Sequence, residues 1–370
     1  MTSSEAFEIF LIAVPGLEAT LCDEAKSVGF SAAKSVPGGV VFQGTWSDVW
    51  RANLHLRGAT RVLARLGSFR VFHLAQLDKR ARKFPWTETL QRDVPVRVEV
   101  TCRKSKIYHA KAAQQRIVTA LKESAGITVD ERAEVSLKVR IDDDLCTISL
   151  DTSGEALHKR GYKSAVGKAP MRETMAALFL REAGYSGDEP VLDPMCGSGT
   201  FVLESAEIAQ GLAPGRLRRF SFEQLKTFDA EHWLAMRSEC APIETPYVFR
   251  GSDRNAGAVE MACGNAKRAG VADHCLFENK SISDLIRPEG PAGLVVVNPP
   301  YGARIGNKKL LYALYASFGG VMRAKFKGWR VSIITTENGL AKATGLPLLP
   351  PGPYVAHGGL KVRHFRTDPL

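Results

Sequence analysis

The chain has 370 residues, 45% of them apolar, and a formal net charge of +11, which is enough for two or three domains with their own cores. No apolar run approaches the roughly 20 residues that span a bilayer, and the stretch Ile9 to Val14 has no basic region before it, so a cytoplasmic protein is expected. Seven scattered cysteines without a C-x-x-C pair suggest neither a disulfide framework nor a zinc site, and no metal is expected.

The charge is unevenly placed. Residues 51 to 111 hold fifteen Lys or Arg against four acids, and residues 301 to 370 hold eleven against two, which leaves the rest of the chain acidic. Solvated basic faces are common, but such clustering also suits a polyanion bound through phosphate contacts and counterion release.

In chain order, Phe7 to Ile12 reads as a strand, and Leu17, Leu21, Ala25 and Val28 form a helical stripe after Pro15-Gly16. Thr45 with Asp48 predicts a helix cap before Trp50 and Leu54. These make a small α+β unit over residues 1–65. A second unit, 66–152, contains the alternating strands Val96 to Val100, Val135 to Ile141 and Cys146 to Leu150. The helix from about Tyr108 is predicted to turn Ala112, Val118 and Leu121 inward, with Arg103, Lys104, Lys106, Lys111 and Arg116 near its start or on its outer face. Phe84 and Trp86 read as core residues. Residues 153–168, rich in glycine and basic groups, read as a linker in which Arg160 and Tyr162 either close over a ligand or tie the structure together.

Residues 169–370 repeat a strand-helix rhythm. Val191-Leu192 leads into Asp193-Pro194-Met195-Cys196-Gly197-Ser198-Gly199-Thr200 and then an apolar helix, which places the run at a strand-to-helix turn of a doubly wound sheet, where ligands bind. The glycines allow close backbone approach and the helix start offers N–H groups. A strand ending in an acid disfavours a phosphate guest. A zwitterion such as S-adenosylmethionine fits better, with Asp193 accepting from its ammonium group. An ordinary glycine turn capping a helix is the plain alternative. Phe249 precedes Gly251-Ser252-Asp253-Arg254, so Asp253 ends a second strand, placed for ribose hydroxyls or as a helix N-cap. The helix from Asn255 to Arg268 is predicted to carry Val259, Ala262, Cys263 and Ala266 on one face. After Cys275-Leu276-Phe277, Ser281 or Asp284 is the expected adenine contact.

The buried-strand run Leu294 to Val297 then leads to Asn298-Pro299-Pro300-Tyr301. Two acceptors, the Asn298 side-chain oxygen and the Pro299 carbonyl, could hold the hydrogens of a nucleobase amine and favour a pyramidal nitrogen as positive charge develops. Tyr301 is expected to stack on a flipped base. A proline-stiffened turn is the plain alternative. Leu311, Leu314, Tyr315, Phe318 and Met322 mark a further amphipathic helix, Val331 to Ile334 a strand and Leu360 to Phe365 the last strand.

Leu157-His158-Lys159-Arg160-Gly161-Tyr162, Ala169-Pro170-Met171-Arg172-Glu173-Thr174, the Asp193 run, Gly251-Ser252-Asp253 and Asn298 to Gly302 together resemble the bacterial THUMP-containing guanine-N2 methyltransferases of large-subunit ribosomal RNA, over essentially the whole chain. Val14 to Glu18 and Gly38 to Phe42 are similar to the small domain before THUMP in that family. The resemblance implies a Rossmann-like class I methyltransferase domain in an α/β chain, preceded by α+β ferredoxin-like and THUMP modules, with the last strand antiparallel. It implies S-adenosylmethionine as cofactor, RNA as partner and methylation of a guanine N2. Asp193, Gly197 and Gly199 would line the methionine end, Asp253 the ribose, and Asn298 with Tyr301 the base; Pro194, Cys196, Ser198, Thr200, Arg254 and Asn298 are further cofactor contacts, and Pro299 and Pro300 belong with the catalytic run. Arg103, Lys104, Lys106, Lys111 and Arg160 are candidate RNA contacts. Ser281 stands where many relatives carry an adenine-recognising acid, so Asp284 or backbone could serve instead. Some relatives carry a second methyltransferase domain after this one, and ending at Leu370 implies a single methylation. Guanine N2 in transfer RNA, adenine N6 in DNA, a protein glutamine amide, and an RNA-binding protein that only senses the cofactor are the competing readings.

Overall fold

The computed structural model describes residues 5–163, 171–301 and 308–370. The latter part of the expected linker, Ala169-Pro170 and Gly302 lie outside the described residues. The chain divides into two compact units. Among the described residues, 5–13, 22–157 and 218–239 make the first, and 14–21, 158–163, 171–217, 240–301 and 308–370 make the second.

The first unit begins with β1 (Phe7–Ile12), the part of α1 (Glu18–Ser27) from Cys22 onward, β2 (Lys34–Val36), β3 (Gly39–Gly44), α2 (Trp46–His55) and β4 (Arg61–Arg70). The strands lie in the order β2-β3-β1-β4, a ferredoxin-like arrangement. The predicted cap is present: the Asp48 carboxylate accepts the Thr45 N–H at 2.9 Å and its hydroxyl at 3.1 Å. There follow α3 (Leu74–Arg82), α4 (Trp86–Thr89), β5 (Val96–Arg103), α5 (Ala110–Ala120), β6 (Val135–Asp142) and β7 (Leu145–Asp151). Because β4 pairs with β1 on one side and β7 on the other, both modules share one seven-stranded sheet, β2-β3-β1-β4-β7-β6-β5. Helix α5 buries Ala113, Ile117 and Ala120, with Leu121 beyond its end. Ala112 and Val118 are only half-buried, so the inward face is turned by one residue from the prediction. Ala112 and Ala113 adjoin, so the apolar pattern alone does not say which of them points inward.

The second unit contains α6 (Glu173–Glu182), β8 (Val191–Asp193) and α7 (Thr200–Ala209). The chain then contributes residues 218–239, including α8 (Ala230–Ser238), to the first unit. Aromatic packing accounts for this excursion: the Trp50 ring lies 6.0 Å from Phe222 and 5.8 Å from Phe228, and Trp233 meets Phe222 edge-on at 5.0 Å. Returning, the chain forms β9 (Phe249–Asp253), α9 (Ala256–Ala269), β10 (Cys275–Asn279), β11 (Leu294–Val297), α10 (Lys308–Lys325), β12 (Arg330–Thr335), α11 (Asn338–Ala343), β13 (Val355–His357) and β14 (Leu360–Arg366). The sheet order is β10-β9-β8-β11-β12-β14-β13, parallel from β10 to β12, with β14 antiparallel to both its neighbours. β8 and β11 are buried at every residue, as strands covered on both faces require. Helix α9 buries Ala258, Ala262, Asn265, Ala266 and Ala269, whereas Val259 and Cys263 are half-buried, again a slightly rotated face.

Candidate active site

From β8 the chain proceeds outward to β9 and β10, then returns to the other side of β8 as β11. The carboxyl ends of β8 and β11 therefore border a topological switch point, where open α/β sheets bind ligands. Asp193 ends β8, Asp253 ends β9 and Asn298 follows β11. They open on one cleft of about 740 Å³, a volume suited to a ligand of nucleoside size or larger.

The loop from Asp193 to Thr200 is fixed by hydrogen bonds. Asp193 accepts the Met195 N–H at 3.0 Å, Asp253 accepts the Gly197 N–H at 3.0 Å and the Asn255 N–H at 2.9 Å, and the Ser252 carbonyl accepts the Cys196 N–H at 2.9 Å. Gly199 has φ +86°, and a Cβ there would sit 3.1 Å from Ala262 and 3.2 Å from Phe277. A side chain would be both strained and crowded. Gly199 caps α7 without a side-chain bond, so no side chain of the cap takes up the first-turn N–H groups, and Thr200 and Phe201 of that turn line the cleft.

Asp193, Pro194, Cys196, Gly197, Ser198, Thr200, Asp253, Arg254, Ser281, Asn298 and Pro300 all line this cleft. Four predicted residues do not. Gly199 turns toward α9 and β10, and Asp284 accepts the Ser281 hydroxyl at 2.7 Å from outside the lining. Pro299 is buried. Tyr301, expected to offer a flat face to a base, is 0% exposed and lies outside the lining. Following a fully buried strand and two prolines, its ring joins the core. The sequence reading missed Met171, Met261, Ile282 and a stripe of α10, namely Leu310, Leu314 and Ser317. Their i, i+4, i+7 spacing was the available signal. Leu314, expected on the core face, is half-buried and lines the cleft.

Burial pushes the Asp193 carboxyl up to about 8; the nearby Asp253 charge adds to this and the Met195 N–H opposes it. Burial, with the Asp193 and Asp253 charges behind it, also holds the Cys196 thiol far above its ordinary range, so it stays protonated rather than nucleophilic. The Asn298 Oδ1 is buried without a hydrogen-bond partner among the described residues.

Arg160 is corrected as an RNA contact. It is 1% exposed, and its Nε donates to Glu204 of α7 at 3.0 Å in a wholly buried ion pair. Nearby, Lys163 pairs with Glu173 at 2.8 Å and donates to the Thr200 hydroxyl at 2.6 Å. The first part of the expected linker is thus a structural tie to the loop-bearing helix. Arg160→Ala removes the cation and leaves a buried carboxylate without it, an expected loss of about 3–5 kcal/mol that urea denaturation would measure. Unchanged stability would show the pair to be dispensable. Arg103, Lys104, Lys106 and Lys111 are all exposed, in the first unit.

The parallel sheet with its antiparallel β14, the glycine loop and the two strand-end acids define a class I methyltransferase fold. Residues 160–347 match the family described as "RMKL-like, methyltransferase domain", residues 8–63 an RlmL ferredoxin-like domain and residues 73–151 a THUMP domain. The chain belongs to the RMKL-like methyltransferase family. It is 33% identical over 341 residues to the ribosomal RNA large subunit methyltransferase K/L of Vibrio campbellii, covering 88% of this chain and 48% of that one. The chain spans about half the length of the curated relatives it matches. Among solved structures, a predicted N6-adenine-specific DNA methylase from Listeria monocytogenes superposes with a TM-score of 0.88 at 30% identity, over 99% of this chain and 97% of that one. A putative methyltransferase complexed with SAH does so with a TM-score of 0.88 at 26% identity, over 99% of each chain.

Proposed function

We propose that the chain uses S-adenosylmethionine to methylate the exocyclic N2 of a guanine in large-subunit ribosomal RNA, in the cytoplasm. The observation that carries this reading is the Asn298 Oδ1, a buried acceptor without a partner among the described residues, beside a cleft that already holds two acids and a helix start. A buried acceptor left unmade is costly, so it calls for a donor, and a planar amine supplies one. The cofactor would supply an electrophilic methyl on a sulfonium. Asp193 would accept from its ammonium, the first turn of α7 would bind its carboxylate and Asp253 its ribose hydroxyls. Asn298 Oδ1 would hold a hydrogen of the attacking amine; the surplus proton then passes to solvent. The work is positioning and acceptor electrostatics, and it needs neither a metal nor a covalent enzyme intermediate.

RNA is favoured over other amine carriers by the family of the relatives, the THUMP module and the basic stretch within residues 51–111. A second reading, adenine N6 in DNA, is favoured by the description of the Listeria relative and by the same planar amine. Incubating the protein and S-adenosylmethionine with ribosomal RNA, transfer RNA and DNA, then identifying methylated nucleosides by mass spectrometry, separates them. N2-methylguanosine in large-subunit RNA is expected. Methyladenine in DNA, or methylguanosine confined to transfer RNA, would replace the proposal.

A further inference from the structure

At one end of the first unit's sheet, the ends of β4 and β5, the turn between β6 and β7 and the start of α5 meet. Arg70 pairs with Leu145 and Arg103 with Asp142 across the strands. The only non-glycine residues with positive φ among those described are all here: Lys104 at 46°, Asp143 at 51° and Asp144 at 60°. Two successive left-handed residues make the tight turn that a two-residue hairpin needs. Lys104 has no such turn to explain it, and strain of this kind collects at functional surfaces.

The tip is tied down. The Val71 N–H donates to the Asp144 carbonyl at 2.8 Å, the Lys106 N–H to the Asp144 carboxylate at 2.8 Å, and the Arg70 guanidinium to the Asp143 carbonyl at 2.8 Å. On this frame Tyr108 is 73% exposed, with its ring 4.2 Å from that of His109, and Phe72 is 43% exposed beneath the Lys106 ammonium at 4.8 Å. Arg70, Arg103, Lys104, Lys106 and Lys111 are all exposed. Of the three acids in the turn, Asp142 is paired with Arg140 and Asp144 is engaged by backbone, so Asp143 is the remaining one.

Exposed rings ringed by cations on a rigid base match the requirements of single-stranded nucleic acid, where cations follow the phosphates and each base lends a face to an aromatic side chain. A duplex hides those faces. We propose that this tip is a stacking platform for an unpaired base of RNA, with Tyr108 as the contact and the surrounding cations on the flanking phosphates. The inference rests on the RNA reading above.

Fluorescence polarisation on the full chain, with a short single-stranded RNA and a blunt RNA duplex of equal length, tests it. Tyr108→Ala is expected to weaken single-strand binding roughly five- to a hundredfold and to leave duplex binding unchanged, while Tyr108→Phe behaves as wild type. Replacing Lys104 and Lys106 by alanine should weaken both RNAs and flatten the salt dependence. Equal losses on both RNAs, or no loss, for Tyr108→Ala overturn the platform. Wild-type protein that binds neither RNA would instead overturn the RNA reading itself.

Discussion

Asn298→Ala is expected to lower kcat for methyl transfer by about a hundred- to a thousandfold, the scale seen when one preorganised electrostatic partner of a transition state is removed, while the affinity for S-adenosylhomocysteine changes little. An exocyclic amine is a weak nucleophile because its lone pair is shared with the ring. As it attacks, positive charge grows on nitrogen and its N–H groups become stronger donors, so an acceptor contributes more in the transition state than in the ground state. Asn298 stands at the end of β11, a strand buried at all four positions, which fixes its backbone, and its Oδ1 is already withdrawn from water. The desolvation has therefore been met before substrate arrives. Asn298→Asp keeps an acceptor and should lose less than alanine. A radiolabelled-methyl assay gives the rate, and calorimetric titration with S-adenosylhomocysteine separates binding from chemistry. Full turnover by the alanine variant would falsify the assignment. A parallel loss of cofactor affinity would place Asn298 on the cofactor instead.

What the sequence made legible follows from what local chemistry can encode. A polar residue closing an apolar run, ahead of a turn and a helix, marks a strand-end loop whatever its surroundings, and Asp193, Asp253 and Asn298 line one cleft. Long-range packing left no such trace. Arg160 looked like a basic linker residue because Glu204, its partner, is 44 positions away on α7. Residues 218–239 lie inside the expected 169–370 domain, and the partners that draw them into the first unit are distant in sequence: Trp50 packs on Phe222 and Phe228, and the Phe222 N–H donates to the Thr152 carbonyl. Periodicity also leaves the exact inward face open where small apolar residues adjoin, as at Ala112-Ala113 in α5 and Ala258-Val259 in α9, and both inward faces are slightly rotated from the expected ones. The flat ring of Tyr301 suits a base chemically, but its burial keeps it out of the cleft lining. The Leu310, Leu314 and Ser317 stripe is hard to read from sequence because α10 carries a second partly apolar face toward the cleft beside its core face.

Cofactor binding should depend on pH through Asp193. In the unliganded protein its carboxyl is pushed up to about 8, mainly by burial and further by Asp253, so at pH 6 it is almost wholly protonated and cannot present a charge to an ammonium. Below that value each pH unit should raise the affinity for S-adenosylhomocysteine about tenfold, because one proton must leave for each ligand bound. The rise ends near 8, where the carboxyl ionises unaided. The sign for stability is the opposite. A carboxyl that titrates near 3.9 when unfolded but near 8 when folded holds its proton more tightly in the native state, so this group's contribution is greatest below the unfolded value and declines as pH climbs between the two. Ligand then offsets a growing penalty, and the rise in Tm on adding S-adenosylhomocysteine should be larger at pH 8 than at pH 6. Asp193→Ala should bind roughly ten- to a hundredfold more weakly at pH 8, the worth of a charge-assisted hydrogen bond of about 1.5–3 kcal/mol, and Asp193→Asn should lose the pH slope. Calorimetry across pH 6 to 8 reads both. A wild-type affinity that stays level over that range would mean that Asp193 is already ionised before the ligand arrives, or that the ammonium is held elsewhere.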